Sequence, residues 1–318
     1  MEVIKHILLL VVGFVFLIKG ADYFVEYSSG LAKKLKISPL IIGLTIVAFG
    51  TSFPELSVST IAAIKGNNAI AIGNVLGSNI FNLLAILGVT VLISPVFIDK
   101  MFARRDLPLS ILGAILIVVL PFTGEASKLT RLDGAILLII FAGILFIQIK
   151  SALSEKVAQD EEVSSCSYSY TRIALGIILG LAGVIFGGNV TVDAAVGIAE
   201  KFGLSEDLIG LTIVAVGTSL PELVTSIKAS MKNENEIAVG NIIGSNIFNV
   251  FFILGVSSVI HPIGMIKENI IDCSILTLVS VLFFIPCIRG RLTKLEGLLM
   301  TVAYIGYTAY LIIERAAI

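Results

Sequence analysis

Two short polar stretches stand inside long apolar runs of this sequence, and their residue types could bind a cation. The first is GLTIVAFGTSFPEL at residues 43–56, and the second is GLTIVAVGTSLPEL at residues 210–223. Each contains a glutamate, several hydroxyl side chains and a proline. Because proline has no N–H and its ring crowds the preceding turn, we predict a broken helix at each stretch. Backbone carbonyls freed by a break inside a membrane must face protein, water or an ion.

The spacing of the polar residues within each stretch indicates a set of oxygen ligands. Thr51, Glu55 and Ser59 are spaced by four residues and so share one face of a helix, and the second stretch repeats this pattern around Glu222. Carboxylate, hydroxyl and carbonyl oxygens are the ligands that hard cations such as Ca²⁺ prefer. Thiolate and imidazole ligands for softer metals are absent from both stretches.

A second motif follows each of these stretches and could supply a partner helix. It reads GNVLGSNIFN at residues 73–82 and GNIIGSNIFN at residues 240–249. Asn74, Ser78 and Asn82 form a polar stripe at helical spacing, and the second copy has the same stripe. The two glycines of each copy are also four residues apart, a pattern that lets helices approach closely in membranes. We therefore predict that the stripe faces the broken helix.

A structural role is the alternative for each polar residue. Proline kinks are common in membrane helices, a buried glutamate can be protonated, and Asn and Ser often hold helices together. However, a charge near the bilayer centre costs about 3 kcal/mol on the insertion scale. Because both copies retain every polar member of the pattern, we favour a site that binds ions.

The composition predicts a polytopic helical membrane protein. Of the 318 residues, 57% are hydrophobic and only 14% are charged, whereas soluble domains contain about 25% charged residues. The mean hydropathy is +1.03, and apolar runs near the length of a membrane span recur along the chain. The net charge of −1 gives no reason to expect a nucleic-acid partner. The three cysteines lack the spacing of a metal site, and we expect no cofactor.

Apolar runs and polar breaks predict ten transmembrane helices. These cover residues 5–29, 37–64, 69–95, 105–122, 131–150, 171–199, 206–231, 236–260, 270–288 and 295–314. Loops after odd-numbered spans hold fourteen Lys and Arg residues, and the opposite side holds seven. The positive-inside rule then places both termini outside and the linker in the cytoplasm. We expect a multi-pass protein of the plasma membrane.

The two halves of the chain are copies of each other. Residues 43–89 align with residues 210–256 without a gap, and 30 of these 47 positions are identical. We therefore divide the chain into a first five-helix repeat (1–150), a linker (151–170) and a second five-helix repeat (171–318). Because five is an odd number of spans, the second repeat must be inverted. The predicted fold is all-α, with two inverted repeats and broken helices at the midplane, as in many secondary transporters.

These motifs resemble those of the cation/calcium antiporter superfamily, in particular its Na⁺/Ca²⁺ exchangers of the prokaryotic type. The paired GTSFPE and GTSLPE with GSNIFN in both halves carry the resemblance, which covers nearly the whole chain. It implies that Glu55 and Glu222 are the central Ca²⁺ carboxylates, together with the backbone carbonyls of Thr51 and Thr218. It also implies a set of ligands for Na⁺ or for the shared centre, namely Ala48, Ser52, Ser78, Asn82, Ala215, Ser219, Ser245 and Asn249.

The resemblance implies an antiporter rather than an enzyme. Such a protein exchanges Na⁺ for Ca²⁺ by alternating access, with Na⁺ influx driving Ca²⁺ efflux, and we expect it to work as a monomer in the bilayer. Some relatives, including potassium-dependent ones, carry Asp at the position of Asn249, so the amide favours K⁺ independence. An H⁺/Ca²⁺ exchanger is the main alternative, although that branch usually has GNATE-like stretches. A passive channel and an intramembrane hydrolase are weaker alternatives, since the carboxylates are paired and no histidine lies near the motifs.

Overall fold

A computed structural model of the protein describes residues 2–123, 127–154, 167–202 and 215–315, and this part is almost entirely helical. The helices of the first half are α1 (Glu2–Leu35), α2 (Pro39–Thr51), α3 (Phe53–Ile64), α4 (Asn68–Ile93), α5 (Lys100–Phe122) and α6 (Arg131–Ser154). Those of the second half are α7 (Tyr170–Lys201), α8 (Ala215–Gly217), α9 (Leu220–Met231), α10 (Asn235–Ile260), α11 (Lys267–Ile288) and α12 (Lys294–Arg315). Four two-residue strands join them, β1 (Val96–Phe97), β2 (Lys128–Leu129), β3 (Ile263–Gly264) and β4 (Arg291–Leu292).

Within the described ranges, eight helices are long and apolar enough to cross a membrane, and the bent pair of α2 and α3 would make a ninth. The sequence predicts one more span, at residues 206–231. Part of that span, residues 203–214, lies outside the described residues, and α8 and α9 are the described remainder. A multi-pass helical membrane protein is therefore confirmed, and the count of ten spans stays a prediction.

Both predicted helix breaks are present. The axes of α2 and α3 differ by 49° at a break centred on Ser52, which has φ −81° and ψ 12°. Pro54 lies in the first turn of α3, where a missing N–H leaves no helical hydrogen bond unmade. The same break separates α8 from α9, with Pro221 in the first turn of α9. Each proline therefore starts a new helix, and the glutamate one residue later also lies in the first turn.

The centre of the molecule is formed by α4 and α10, the helices that carry the polar stripes. Every residue of α10 from Ile237 to Phe251 is buried, which fits a helix that is packed on all sides. Both helices contain a π-helical turn directly at the end of the stripe, Asn82–Ile86 in α4 and Phe248–Ile253 in α10. Such turns are rare and are frequent at functional sites.

The long helices α1 and α7 pack against each other in an antiparallel pair with their backbones in contact. A Cβ atom added at Gly180 of α7 would lie 2.6 Å from the backbone nitrogen of Phe24, and one at Gly187 would lie 2.4 Å from that of Leu17. Glycine is therefore required at these positions of the pair. Large apolar side chains on the outer faces are exposed, including Leu8 and Leu179 at 61% and 68%, as expected for a surface that contacts lipid.

Two short antiparallel sheets connect the two halves of the chain. β1 pairs with β4 through Val96 and Leu292, and β2 pairs with β3 through Leu129 and Ile263. Each sheet thus joins a loop of the first half to a loop of the second half.

Candidate ion-binding site

The two glutamates of the repeated motif are fully buried, and each is held by the opposite half of the chain. Glu55 is 0% exposed and Glu222 is 1% exposed. Ser219 Oγ donates a hydrogen bond of 2.8 Å to Glu55 Oε1, and Ser52 Oγ donates one of 2.8 Å to Glu222 Oε1. Because each serine lies at the helix break of one half and its acceptor in the other, the two halves form a single site.

Each glutamate also contacts the polar stripe of its own half. Ser78 Oγ lies 3.4 Å from Glu55 Oε1, and Ser245 Oγ lies 3.5 Å from Glu222 Oε1. Ser219 Oγ also lies 3.0 Å from Ser78 Oγ, so both hydroxyl groups are next to each other and to the Glu55 carboxylate. The sequence prediction that the stripes of α4 and α10 face the broken helices is therefore confirmed.

The threonines of the motif link the halves through their side chains. Thr51 Oγ1 donates to Asn241 Oδ1 at 2.9 Å, and Thr218 Oγ1 donates to Asn74 Oδ1 at 3.3 Å. The amide nitrogen of Asn74 donates in turn to the backbone oxygen of Glu55 at 3.2 Å, and that of Asn241 lies 3.4 Å from the backbone oxygen of the other glutamate. The stripe asparagines thus fix the backbone next to both carboxylates.

Four asparagines connect α4 and α10 in a reciprocal pattern. Asn82 Nδ2 donates to Asn246 Oδ1 at 3.0 Å, and Asn249 Nδ2 donates to Asn79 Oδ1 at 2.9 Å. Asn79 Nδ2 and Asn246 Nδ2 each donate to the other residue's backbone oxygen at 3.3 Å. Sequence reasoning missed Asn79 and Asn246, because they lie outside the stripe of residues spaced by four. Their presence in both copies of GSNIFN was the available signal.

Four buried oxygen atoms in this region have no hydrogen-bond donor in the described part of the protein. They are Oε2 of Glu55, Oε2 of Glu222, Oδ1 of Asn82 and Oδ1 of Asn249. An unpaired buried acceptor costs about 1–3 kcal/mol, so such atoms usually have a partner. Two carboxylate and two amide oxygens are a ligand set for Ca²⁺ or Na⁺. No group of three or more His, Cys, Asp or Glu residues that could hold a metal occurs in the described ranges.

The two alanines that the resemblance assigns to Na⁺ lie beside the breaks. The backbone oxygen of Ala48 accepts a bond of 3.1 Å from the backbone N–H of Ser52 and lies 3.4 Å from Thr51 Oγ1. Ala215 is the first residue of α8. Each alanine precedes the threonine of its motif by three residues, and Ala48 uses its carbonyl within its own helix.

The close helix approach predicted from the paired glycines is confirmed for the second copy. A Cβ atom at Gly240 would lie 2.6 Å from the backbone oxygen of Leu40, and one at Gly244 would lie 2.6 Å from that of Leu44. For Gly73 and Gly77, nothing in the described ranges lies within 4 Å of an added Cβ. The corresponding partner residues, 207–211, fall outside the described residues, so close approach in the first copy stays a prediction.

Replacing Asn246 by leucine is expected to lower the free energy of unfolding by about 2–4 kcal/mol. The change removes the acceptor of Asn82 Nδ2 and the donor to the backbone oxygen of Asn79, and each buried group left unpaired costs about 1–3 kcal/mol. Unfolding in detergent, followed by circular dichroism, measures the effect. Asn189→Leu, at an exposed position of α7, is the matched control and should change stability by less than about 0.5 kcal/mol. Equal stability of the two variants would contradict the assigned role of the asparagine contacts.

Comparison with known proteins places these features in one family. The family model described as sodium/calcium exchanger protein matches residues 5–150 and 172–313. The chain is 38% identical over 314 residues to the inner membrane protein YrbG of Escherichia coli, with 95% of each chain covered. It is 33% identical over 346 residues to the sodium/calcium exchanger MaX1 of Methanosarcina acetivorans, with 96% of this chain and 98% of the relative covered.

A solved structure has the same fold. The sodium-calcium exchanger NCX_Mj, soaked with Na⁺ and Ca²⁺, superimposes with a TM-score of 0.84 at 31% identity, covering 98% of this chain and 99% of that chain. The match therefore extends over the whole described fold, including both halves of the candidate site. Together with the family match, it establishes that the chain belongs to the sodium/calcium exchanger family of cation/calcium antiporters.

Proposed function

We propose that the protein exchanges Na⁺ for Ca²⁺ by alternating access, with Na⁺ influx driving Ca²⁺ efflux. The observation that carries this proposal is the pair of buried glutamates, Glu55 and Glu222. Each is bonded through Oε1 to the other half, and the Oε2 of each has no partner among the residues that the structure describes. Two ionised carboxylates give the site a charge near −2. One Ca²⁺ or two Na⁺ neutralise this charge, and a third Na⁺ makes transport sensitive to the membrane potential.

The ligands in this proposal follow from the chemistry of each group. Ca²⁺ binds between the carboxylates of Glu55 and Glu222, with the backbone carbonyls of Thr51 and Thr218 completing its shell. Na⁺ binds beside it, and Asn82 and Asn249 lie at the shared centre. The remaining Na⁺ ligands are Ala48, Ser52, Ser78, Ala215, Ser219 and Ser245. Because the two ions share the carboxylates, they exclude each other, and competition for these oxygens produces exchange.

We further propose that residues 1–150 and 171–318 are inverted five-helix repeats joined by the linker 151–170. The strand pairs support this arrangement. β1 follows the third span of the first half, and its partner β4 follows the fourth span of the second half. Loops at these positions lie on the same side of the membrane only when one repeat is inverted. β2 follows the fourth span of the first half, and its partner β3 follows the third span of the second half, so this pairing also requires one repeat to be inverted.

In the proposed topology the termini are outside, the linker is in the cytoplasm, and the protein lies in the plasma membrane. The excess of basic residues in loops after odd-numbered spans supports this orientation. Both glutamates come from one chain, so a monomer is sufficient for transport. The moving part is the pair of α1 and α7, which are closely packed on each other and do not carry the repeated motif.

Uptake of ⁴⁵Ca²⁺ into proteoliposomes tests the coupling ion. We expect uptake into vesicles loaded with Na⁺ to exceed uptake into choline-loaded vesicles by about tenfold or more, because exchange needs an ion leaving in return. Equal Na⁺ on both sides of the membrane should remove the effect. Choline-loaded vesicles that take up Ca²⁺ when given only a pH gradient would indicate an H⁺/Ca²⁺ exchanger and would contradict the proposed Na⁺ ligands.

A further inference from the structure

An apolar groove of about 790 Å³ runs between α1 and α7 on their exposed side. Its wall on α1 includes Phe16 and Tyr23, which are 46% and 54% exposed. Its wall on α7 includes Leu175, Leu179 and Phe186, which are 54%, 68% and 51% exposed. Because both helices belong to spans of a membrane protein, this groove faces the bilayer and its occupant must come from the lipid phase.

The groove is long enough to span the hydrocarbon of one leaflet. Along α7 it extends from Arg172 to Phe186, which corresponds to about 21 Å at the rise of an α-helix. One leaflet contributes about 15 Å of hydrocarbon to a bilayer core of about 30 Å. An acyl chain can therefore lie along the apolar walls while its headgroup is at the level of Arg172, where α7 begins.

Polar and positively charged groups line the groove at its Arg172 end. The side chains of Arg172 and Thr171 are exposed there, and the adjoining Ser169 completes the polar rim. The Arg172 guanidinium lies 4.6 Å from the centre of the Tyr168 ring, which orients it without neutralising its charge. Hydroxyl and guanidinium groups together are donors that suit a phosphate oxygen.

Glu26, an acidic side chain that contacts Tyr168 beside this rim, already has a positive partner. Glu26 accepts a hydrogen bond of 2.8 Å from the hydroxyl of Tyr168, and it pairs with Lys232 Nζ at 3.5 Å. Lys34 adds a further positive charge nearby, with its Nζ 4.8 Å from the centre of the Tyr170 ring. The rim therefore keeps a net positive charge.

Lys19 is a second cation inside the groove. It is exposed on α1, and no hydrogen bond or ion pair joins it to another residue in the described part of the chain. A lysine within a membrane span is costly unless a group of opposite charge or a polar surface compensates it. Lys19 neighbours Gly20, which packs against Gly183 of α7, so it lies about 16 Å along the helix from Arg172. The preference for an anionic headgroup therefore comes from the Arg172 end of the groove.

We propose that this groove binds one anionic phospholipid, with its phosphate at Arg172, Ser169 and Thr171 and an acyl chain along the walls of α1 and α7. The lipid contacts both helices of the closely packed pair and lies on the surface opposite to the protein core. The groove is separate from the ion site, since none of the proposed ion ligands lines the groove.

Native mass spectrometry of the full chain in detergent tests this proposal without any transport. We expect phosphatidylglycerol to bind about tenfold more tightly than phosphatidylcholine with the same acyl chains. Arg172→Gln should weaken phosphatidylglycerol binding about tenfold, because it removes a charge-assisted hydrogen bond. Arg291→Gln is the matched control, since Arg291 is also exposed but is outside the groove, and it should leave binding unchanged.

Two further variants separate the headgroup from the acyl chain. Ala182→Trp fills the apolar part of the groove without changing charge and should reduce the binding of both lipids. Lys19→Gln changes a charge far from the proposed phosphate position and should leave the preference for phosphatidylglycerol unchanged. An excess of inorganic phosphate should not displace the lipid, because phosphate lacks the acyl chain. Equal binding of the two lipids by the unaltered protein, or equal effects of Arg172→Gln and Arg291→Gln, would overturn the proposal.

Discussion

Replacing Glu55 by glutamine is expected to lower Ca²⁺ affinity by about 1,000-fold and to abolish exchange at micromolar Ca²⁺. Glutamine keeps the shape of the side chain and can still accept the hydrogen bond from Ser219, so the main change is the loss of one negative charge. A unit charge pair at 4 Å contributes about 4 kcal/mol at an effective dielectric constant of 20, which corresponds to about three decades in affinity. Because Ca²⁺ is divalent, about three decades is the lower bound of the expected loss. Glu222→Gln should have a similar effect, because the two glutamates occupy corresponding positions in the one site.

Isothermal titration with Ca²⁺ and ⁴⁵Ca²⁺ uptake measure the two consequences. Glu236→Gln is the matched control, since Glu236 is exposed and its side chain accepts a hydrogen bond from Ser38 far from the candidate site in the fold. Unfolding temperatures of all three variants show whether the fold is retained. If either buried glutamine variant exchanged Ca²⁺ at the rate of Glu236→Gln, the central role of the carboxylates would be wrong.

The sequence was sufficient to predict the features that follow from local chemistry. Pro54 and Pro221 cannot continue a helix, and both begin new helices in the structure. The spacing of Ser78 and Ser245 predicted which face of α4 and α10 meets the glutamates, and the hydrogen bonds agree. These features depend on helical periodicity and on the missing N–H of proline, which a single sequence contains.

Contacts between the halves could not be predicted in detail. Ser219 bonds to Glu55 rather than to the glutamate of its own half, and this depends on how the two broken helices approach each other. Asn79 and Asn246 turn toward one another only because α4 and α10 pack together at the centre. The two-residue strands were also missed, since so short a segment has no periodicity.

Replacing Gly180 by leucine is expected to impair both folding and exchange. An added Cβ at this position would lie 2.6 Å from the backbone nitrogen of Phe24 and 2.8 Å from its Cα. Backbone atoms cannot move aside as a flexible side chain does, so α1 must separate from α7. Overpacking of this kind costs about 1–3 kcal/mol. Because we propose that α1 and α7 move as one unit, the exchange rate should also fall, by about tenfold or more.

A graded series distinguishes the effect on packing from the effect on transport. Gly180→Ala adds only the Cβ and should give an intermediate loss of stability and exchange. The control is Gly143→Leu, which adds leucine at an exposed position of α6, where nothing in the described ranges lies within 4 Å of an added Cβ. The control should retain stability and exchange. Exchange that falls from Gly to Ala to Leu while folded protein is still obtained ties the transport cycle to the contact between α1 and α7. Normal exchange by a folded Gly180→Leu protein would instead mean that this contact is not needed for transport, and another pair of helices would have to move.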